Sequence, residues 1–401
     1  MNREAKSQGV AAMPPLRPEF LPFHRPTIGD DEIQGVVEVL RSGWLTTGPR
    51  VQELERVLKE RLGCGDALAL NSCTAALHLA LVVAGVGEGD EVITTPYTFA
   101  STGETILYTG ARPVFVDVEP STSNLDPERI EAAITPRTRA ISPVHLAGHP
   151  CRMDPILEIA RRRGLAVIED AAHAFGTTYR GRPVGALSRF TAFSFYATKN
   201  LTTGEGGLLA CADADDAARA RKLSLHGLSR DAWRRYAAGG SWAYAIEDLG
   251  YKYNLTDLAA AIGLAQLRRF DDEQAKRRER VAWYREALAG SDVFELPSDP
   301  EDGEHAWHLF ILRLRPGTLS IDRDEFARRL QEARIGISVH FIPLHLHPLY
   351  RDRLGLRPGD LPVAEDLYGR AISLPLFPGM SRADVEYVAA AAHGIAAACR
   401  A

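Results

Sequence analysis

Apolar positions along this chain follow two rhythms that take turns. Short runs that are apolar almost throughout alternate with longer stretches in which apolar residues recur every three or four positions. The short runs predict strands over 67–70, 91–95, 113–118, 140–145 and 165–169. The longer stretches predict helices over 75–84, from about 99, over 127–134 and over 155–163. An earlier helix is expected over 30–42, opened by Gly29-Asp30-Asp31 and closed by Gly43. Strands alternating with helices predict an α/β fold whose mostly parallel sheet is covered on both faces. A tract over 256–288, rich in Ala, Leu and Arg, predicts a long helix leading out of this layer. Beyond it, strands over 307–314 and 337–341 and helices over 323–333 and 382–398 predict a second, smaller α+β unit. The resulting division is a flexible arm over 1–21, a large domain over 22–275 and a small domain over 276–401.

Composition removes several function classes. The stretch 67–87 carries no formal charge, yet it contains Asn71, Ser72, Thr74 and His78 and is rich in Ala. It reads as a buried strand, a polar turn and a core helix, and no membrane partner is expected. A net charge of −5 gives no general attraction to nucleic acid. The N-terminal segment mixes charges with Pro and has no apolar core, unlike a signal peptide. The five cysteines are scattered, odd in number and without a Cys-x-x-Cys pair, so a reducing cytoplasm is expected.

Ligands of parallel α/β sheets bind beyond the carboxyl ends of the strands. Asn71–Thr74, Pro96–Phe99, His145, Asp170–His173 and Ser194–Lys199 all fall at or just past such ends. Two of these segments define a chemistry. Of the 47 Lys and Arg residues only six are lysines, and one, Lys199, lies in Phe193-Ser194-Phe195-Tyr196-Ala197-Thr198-Lys199-Asn200. A guanidinium cannot form an imine, so a lysine kept in an apolar setting points to Schiff-base chemistry. Asp170 ends the apolar run Val167-Ile168-Glu169-Asp170, and a carboxylate entering a poorly solvated region needs a cationic partner. A lysine for an aldehyde and an acid for a pyridinium nitrogen are what pyridoxal 5'-phosphate requires. Asn71-Ser72-Cys73-Thr74 lies between a strand and a helix, where free N–H groups suit a phosphate; a plain N-cap fits the same pattern. Ser194 is a second phosphate hydroxyl or a strand serine. His173 is a ring contact or a core histidine, and Phe99 a stacking residue or core. Thr202-Thr203-Gly204-Glu205-Gly206-Gly207 is a weak phosphate loop and a better turn for presenting Lys199. His340, His345 and His347 fit a polar pocket wall better than a metal site, because Pro343 and Pro348 break their geometry.

Together these segments resemble the DegT/DnrJ/EryC1/StrS family of nucleotide-sugar aminotransferases, a branch of the fold-type I pyridoxal-phosphate enzymes. The resemblance runs from about Pro26 to Ala391. It rests on Ser42-Gly43-Trp44 with Gly48-Pro49, on Asn71 to Leu77, on Gly89-Asp90-Glu91-Val92-Ile93 and on Pro113 to Val118. It continues through Ile168 to His173, Ser194-Phe195, Thr198-Lys199-Asn200, Gly204 to Gly207 and Gly250 to Asp257. It implies an aspartate-aminotransferase-like large domain, with Lys199 as Schiff-base lysine and proton shuttle. It also implies Asp170 on the pyridine nitrogen, His173 at the ring side and Phe99 stacked on the ring. Cys73, Thr74 and Ser194 would hold the phosphate, with Asn254 reaching in from the neighbouring subunit of a homodimer. Trp44 and His340 would meet the substrate. Cys73 stands where many members have Gly, which spares a backbone N–H contact. The tracts 225–257 and 337–350 are most similar to members that aminate carbon 4 of a keto sugar, the 4-amino-4-deoxy-arabinose-type enzymes. The implied reaction moves an amino group from L-glutamate, leaving 2-oxoglutarate, to a dTDP- or UDP-linked keto sugar. A 3-keto sugar or cyclitol aminotransferase has the same chemistry; the related dehydratases replace the lysine with His.

Overall fold

The computed structural model describes residues 13–229 and 244–401. Seven strands form the central sheet: β1 (Asp66–Leu70), β2 (Glu91–Thr94), β3 (Arg112–Phe115), β4 (Thr138–Ser142), β5 (Ala166–Asp170), β6 (Phe190–Ser194) and β7 (Gly207–Cys211). Their order is β1-β7-β6-β5-β4-β2-β3. β7 runs antiparallel to both of its neighbours, and the remaining pairs are parallel. The mostly parallel α/β sheet expected from the alternating rhythm is therefore present. The central strands are buried almost throughout, as in a sheet covered on both sides.

Four helices lie early in the chain: α1 (Asp30–Ser42), α2 (Pro49–Leu62), α3 (Cys73–Val83) and α4 (Ala100–Tyr108). α3 is the core helix read from the charge-free stretch, with nine of its eleven residues buried. Among the described residues no helix is long and apolar enough to cross a membrane. α2 was not among the expected helices, although Val51, Leu54, Leu58 and Leu62 recur at helical spacing and form its buried face; Pro at its start and Gly63 at its end bound it. The buried carboxylate of Asp257 accepts from the N–H groups of Gly48, Arg50 and Val51, at 2.8, 3.1 and 3.0 Å, and so caps α2 from a distant part of the chain.

Two expectations are corrected. The long helix over 256–288 is two helices, Asp257–Arg268 and Phe270–Leu288. Arg269 breaks them at φ −115° and ψ 8°, held there by its guanidinium on Thr27 O and Glu32. The strand expected over 337–341 is a single bridge, in which Ser338 and Ser373 exchange backbone hydrogen bonds of 3.2 and 2.8 Å. The alternating apolar residues there do not continue a sheet: Ile337 packs against the core around Phe310 and Phe326, and Phe341 against a separate cluster that includes Tyr97 and Leu146. A three-stranded antiparallel sheet of Phe294–Glu295, Phe310–Leu314 and Ala371–Leu374 does form late in the chain. The helices Arg323–Glu332 and Arg382–Ala398 and Leu21 pack with it in one apolar core. Residues 1–12 of the expected arm lie outside the described residues. From Arg17 the chain is tied down: Arg17 pairs with Asp384 at 2.6 Å, and Leu21 exchanges backbone bonds with Arg334 and Gly336.

Candidate active site

At the carboxyl ends of β5 and β6, beside the start of α3, lies a cavity of about 400 Å³. Its lining includes Cys73, Thr74, Phe99, Asp170, His173, Ser194, Lys199 and His340, which sequence reasoning had singled out. Trp44 and Asn254 do not line it. Trp44 donates from Nε1 to Thr47 O (2.9 Å), and Asn254 donates from Nδ2 to Thr47 Oγ1 (2.7 Å), so both belong to one patch outside their own chain's cavity. His145 also turns away: its Nδ1 accepts from Cys151 N–H, so Nε2–H donates to the buried Glu169 at 2.8 Å. His345 is buried against Glu365, also at 2.8 Å, and His347 precedes the helix Pro348–Leu354.

β6 ends at Ser194, and a turn closed by Lys199 N–H on Tyr196 O (2.9 Å) delivers the lysine into the cavity. Enclosure lowers the Lys199 pKa to about 8, because an ammonium loses solvation there; the Asp170 carboxylate opposes this. The amine thus has a substantial neutral fraction near neutral pH. Burial pushes the Cys73 thiol far up, so the side chain stays uncharged.

Asp170 ends β5 and is 3% exposed. Both partners of its carboxylate are neutral donors: Thr102 Oγ1–H at 2.6 Å and Ala172 N–H at 3.1 Å. Burial raises its pKa and these hydrogen bonds oppose the rise. Such a carboxylate is short of a cation, which is the environment a pyridinium fits. His173 accepts from Ala147 N–H through Nδ1 at 3.2 Å, which puts the proton of the neutral ring on Nε2. Burial and the nearby Lys199 hold its pKa well below the ordinary value.

α3 begins at Cys73, capped by Ser72 Oγ, which accepts from Ala75 N–H at 3.1 Å. The cap reading of this turn is therefore correct. It leaves the N–H groups of the first turn without helical partners, at the cavity wall where Ser72, Cys73 and Thr74 lie. Gly207 explains the glycine-rich segment. A Cβ there would stand 2.4 Å from the Ser72 carbonyl carbon and 2.5 Å from the Cys73 nitrogen. Only glycine lets β7 start flush against this anion-ready turn. A helix N-terminus, a buried carboxylate and an enclosed lysine around one cavity fit pyridoxal phosphate at its phosphate, ring nitrogen and aldehyde respectively.

Thr98 and Tyr196, in two of the strand-end segments, and Phe341, in the 337–350 tract, also line it, whereas Phe23 and His308 were not foreseen. His340 is fixed by Nδ1 on Ser373 Oγ (2.8 Å) and by Phe23, whose ring lies 5.6 Å away. Burial and Lys199 lower the His340 pKa to about 4, leaving the ring neutral. Asn200 donates to Gln274 and Ala306 O, so its Oδ1 is left to accept from His308 Nδ1–H at 3.1 Å. His308 precedes a strand of the late sheet, and nothing in its local pattern marks it as facing this cavity. Thr98 and Thr102, four apart just past β2, carried a signal that could have been used: two hydroxyls on one face at a strand end.

The geometry has close counterparts. Residues 26–393 match the family model of the DegT/DnrJ/EryC1/StrS aminotransferases. The chain is 50% identical over 380 residues to the spore coat polysaccharide biosynthesis protein SpsC of Bacillus subtilis, covering 94% of this chain and 98% of that one. Spr1654 of Streptococcus pneumoniae, described as a sugar aminotransferase and solved in PMP, apo and PLP forms, is similar in structure. Its PMP form superposes with a TM-score of 0.89 at 36% identity, over 94% of this chain and 99% of that one. DesI, solved in the presence of its TDP-sugar product, gives a TM-score of 0.85 at 33% identity, over 95% and 94%.

Proposed function

This chain belongs to the DegT/DnrJ/EryC1/StrS aminotransferase family, the pyridoxal-phosphate-dependent sugar aminotransferases of fold type I, and from that premise we propose that it moves the amino group of L-glutamate to carbon 4 of a dTDP- or UDP-linked keto sugar. The observation that carries the reading is the single cavity that gathers Lys199, Asp170, His173 and the start of α3. The TDP-sugar product of DesI supports a nucleotide-linked substrate. The choice of carbon 4 rests on the resemblance of the 225–257 and 337–350 tracts; residues 230–243 of the first lie outside the described residues.

Pyridoxal phosphate, when bound, supplies an electron sink that lets a hydrogen beside an amine leave as a proton. Each residue then has a task. Lys199 Nζ takes that proton from the α-carbon of glutamate and, in the second half-reaction, delivers one to the sugar carbon. Its pKa of about 8 suits a group that must both accept and donate near neutral pH. Asp170 would hold the ring nitrogen protonated. His173 would lie at the ring side, and Phe99 would stack on the ring. Cys73 and Thr74, through the first turn of α3, would hold the phosphate with Ser194. His340, neutral and fixed by Ser373, faces the sugar.

Among the described residues, the lining of the cavity offers no arginine, and Lys199 is its only lysine. Glutamate carboxylates and a diphosphate call for cations, which favours a homodimer that completes each site across its interface. The patch holding Trp44, Thr47 and Asn254 is the part of this chain we assign to the partner's site: Asn254 to phosphate and Trp44 to substrate. The assignment of 22–275 to a large cofactor domain and 276–401 to a small domain, and a cytoplasmic setting, complete the reading. The test uses [15N]glutamate with a panel of nucleotide-linked keto sugars. Label should appear on carbon 4 of the product sugar; label on carbon 3, or on a free cyclitol only, overturns the assignment.

A further inference from the structure

Asp170 draws its strongest contact from a residue outside the cavity lining. Thr102, in the first turn of α4 and 1% exposed, donates from Oγ1 to Asp170 Oδ2 at 2.6 Å. Thr98, also buried and four residues earlier, lies 2.8 Å from the same Thr102 oxygen. A hydroxyl has one proton. If Thr102 gives its proton to the carboxylate, Thr98 must give its own to Thr102, and the two hydroxyls form a chain directed at Asp170. The distance of 2.6 Å is that of a hydroxyl bonded to a charged oxygen. Protonating Asp170 on Oδ2 would require both hydroxyls to reverse.

We infer that Thr102, set by Thr98, is a positioning residue that keeps the cofactor's ring-nitrogen proton on the ring by lowering the basicity of the Asp170 carboxylate. The inference rests on the reading of Asp170 as the ring-nitrogen partner. A carboxylate that is buried becomes more basic and competes with a pyridine for one proton. Two neutral donors bring the balance back without adding a charge: Thr102 on Oδ2 and Ala172 N–H on Oδ1. The charged and titratable groups that bear on Asp170 are Lys199, His145 and two buried thiols, Cys73 and Cys151, both of which burial keeps protonated. His145 is committed to Glu169 and Cys73 is a neutral thiol, so neither replaces Thr102. The cost of losing Thr102 therefore falls on the ring proton rather than on cofactor retention.

The experiment loads wild type, Thr102→Val, Thr102→Ser and Asp170→Asn with 15N-labelled pyridoxal phosphate and reads the ring-nitrogen chemical shift across pH 6–9. Wild type should show a protonated ring nitrogen throughout. Thr102→Val, equal in shape, should shift toward the unprotonated value and lose about 10- to 100-fold in kcat, the range for losing a hydrogen bond to a charged group. Its KM should change far less. Thr102→Ser should restore both. If the valine variant does not fold, Thr102→Ala carries the same comparison. A wild-type shift in Thr102→Val, with Asp170→Asn clearly unprotonated, overturns the inference and leaves Asp170 in its role. A wild-type shift in Asp170→Asn overturns the role of Asp170 itself.

Discussion

Lys199 concentrates the chemistry in one side chain, and its predictions are the sharpest at the scale of the residue. Lys199→Ala and Lys199→Arg should both abolish transamination and the yellow colour of the purified protein, because a guanidinium keeps the charge but not the imine chemistry. Absorbance and amino-group transfer read the two effects; normal turnover by either variant contradicts the role. A second prediction follows from the lowered pKa of about 8 against 10.5 in an ordinary lysine. Between those values the unfolded chain binds the proton that the folded chain has given up, so this group makes the cofactor-free protein more stable as pH rises from about 8 to 10.5. Below pH 8 the cost of burying the ammonium is present in full. Cofactor-free Lys199→Met should therefore be more stable than wild type at pH 7, by up to about 3 kcal/mol, with the gap closing toward pH 10.5. Urea unfolding at the two pH values checks it. Lys199 and Asp170 were legible because each violates its surroundings: a rare lysine among arginines and a charge at the end of an apolar run. Thr102 and His308 were not, because each is ordinary locally and acquires its partner only through tertiary packing.

At the scale of elements, the site is built where β7 and α3 touch backbone to backbone. Gly207→Ala should push the Ser72–Cys73 turn away, since the atoms it would meet at 2.4 and 2.5 Å are main chain and cannot rotate aside. Weaker retention of pyridoxal phosphate on dialysis, with a lower melting temperature, is the expected result. Unchanged retention would mean that the phosphate does not sit on this turn. Asp257→Ala removes the distant cap of α2 and three hydrogen bonds to its first turn. It should cost about 2–4 kcal/mol in denaturant unfolding, given a buried charged acceptor on several donors. The early strands and helices were legible from their rhythm, with boundaries off by a few residues. The break at Arg269 was not, because the residue is a good helix former and only its ties to Thr27 and Glu32 turn the chain there. The bridge at Ser338 read as a strand because its apolar residues alternate, although Ile337 and Phe341 pack into two different apolar clusters.

At the scale of the whole molecule, the account requires two copies to make one complete site. Mixing Lys199→Ala with Asn254→Ala under conditions that exchange subunits should restore part of the activity, because one of the two sites in each hybrid regains both groups. Hybrids that form without rescue would place Asn254 in its own subunit's site or outside any site. On the proposed reading the cavity takes the reacting end of the substrate, and remote binding of the diphosphate and nucleoside would orient the ketone there. The most direct measurement supplies glutamate with a matched pair of 3-keto and 4-keto nucleotide sugars, together with the corresponding free sugars, and compares turnover. The account predicts preferred turnover of the 4-keto nucleotide sugar and little of any free sugar. Equal or faster turnover of the 3-keto compound, or efficient turnover of a free keto sugar or cyclitol, would contradict it.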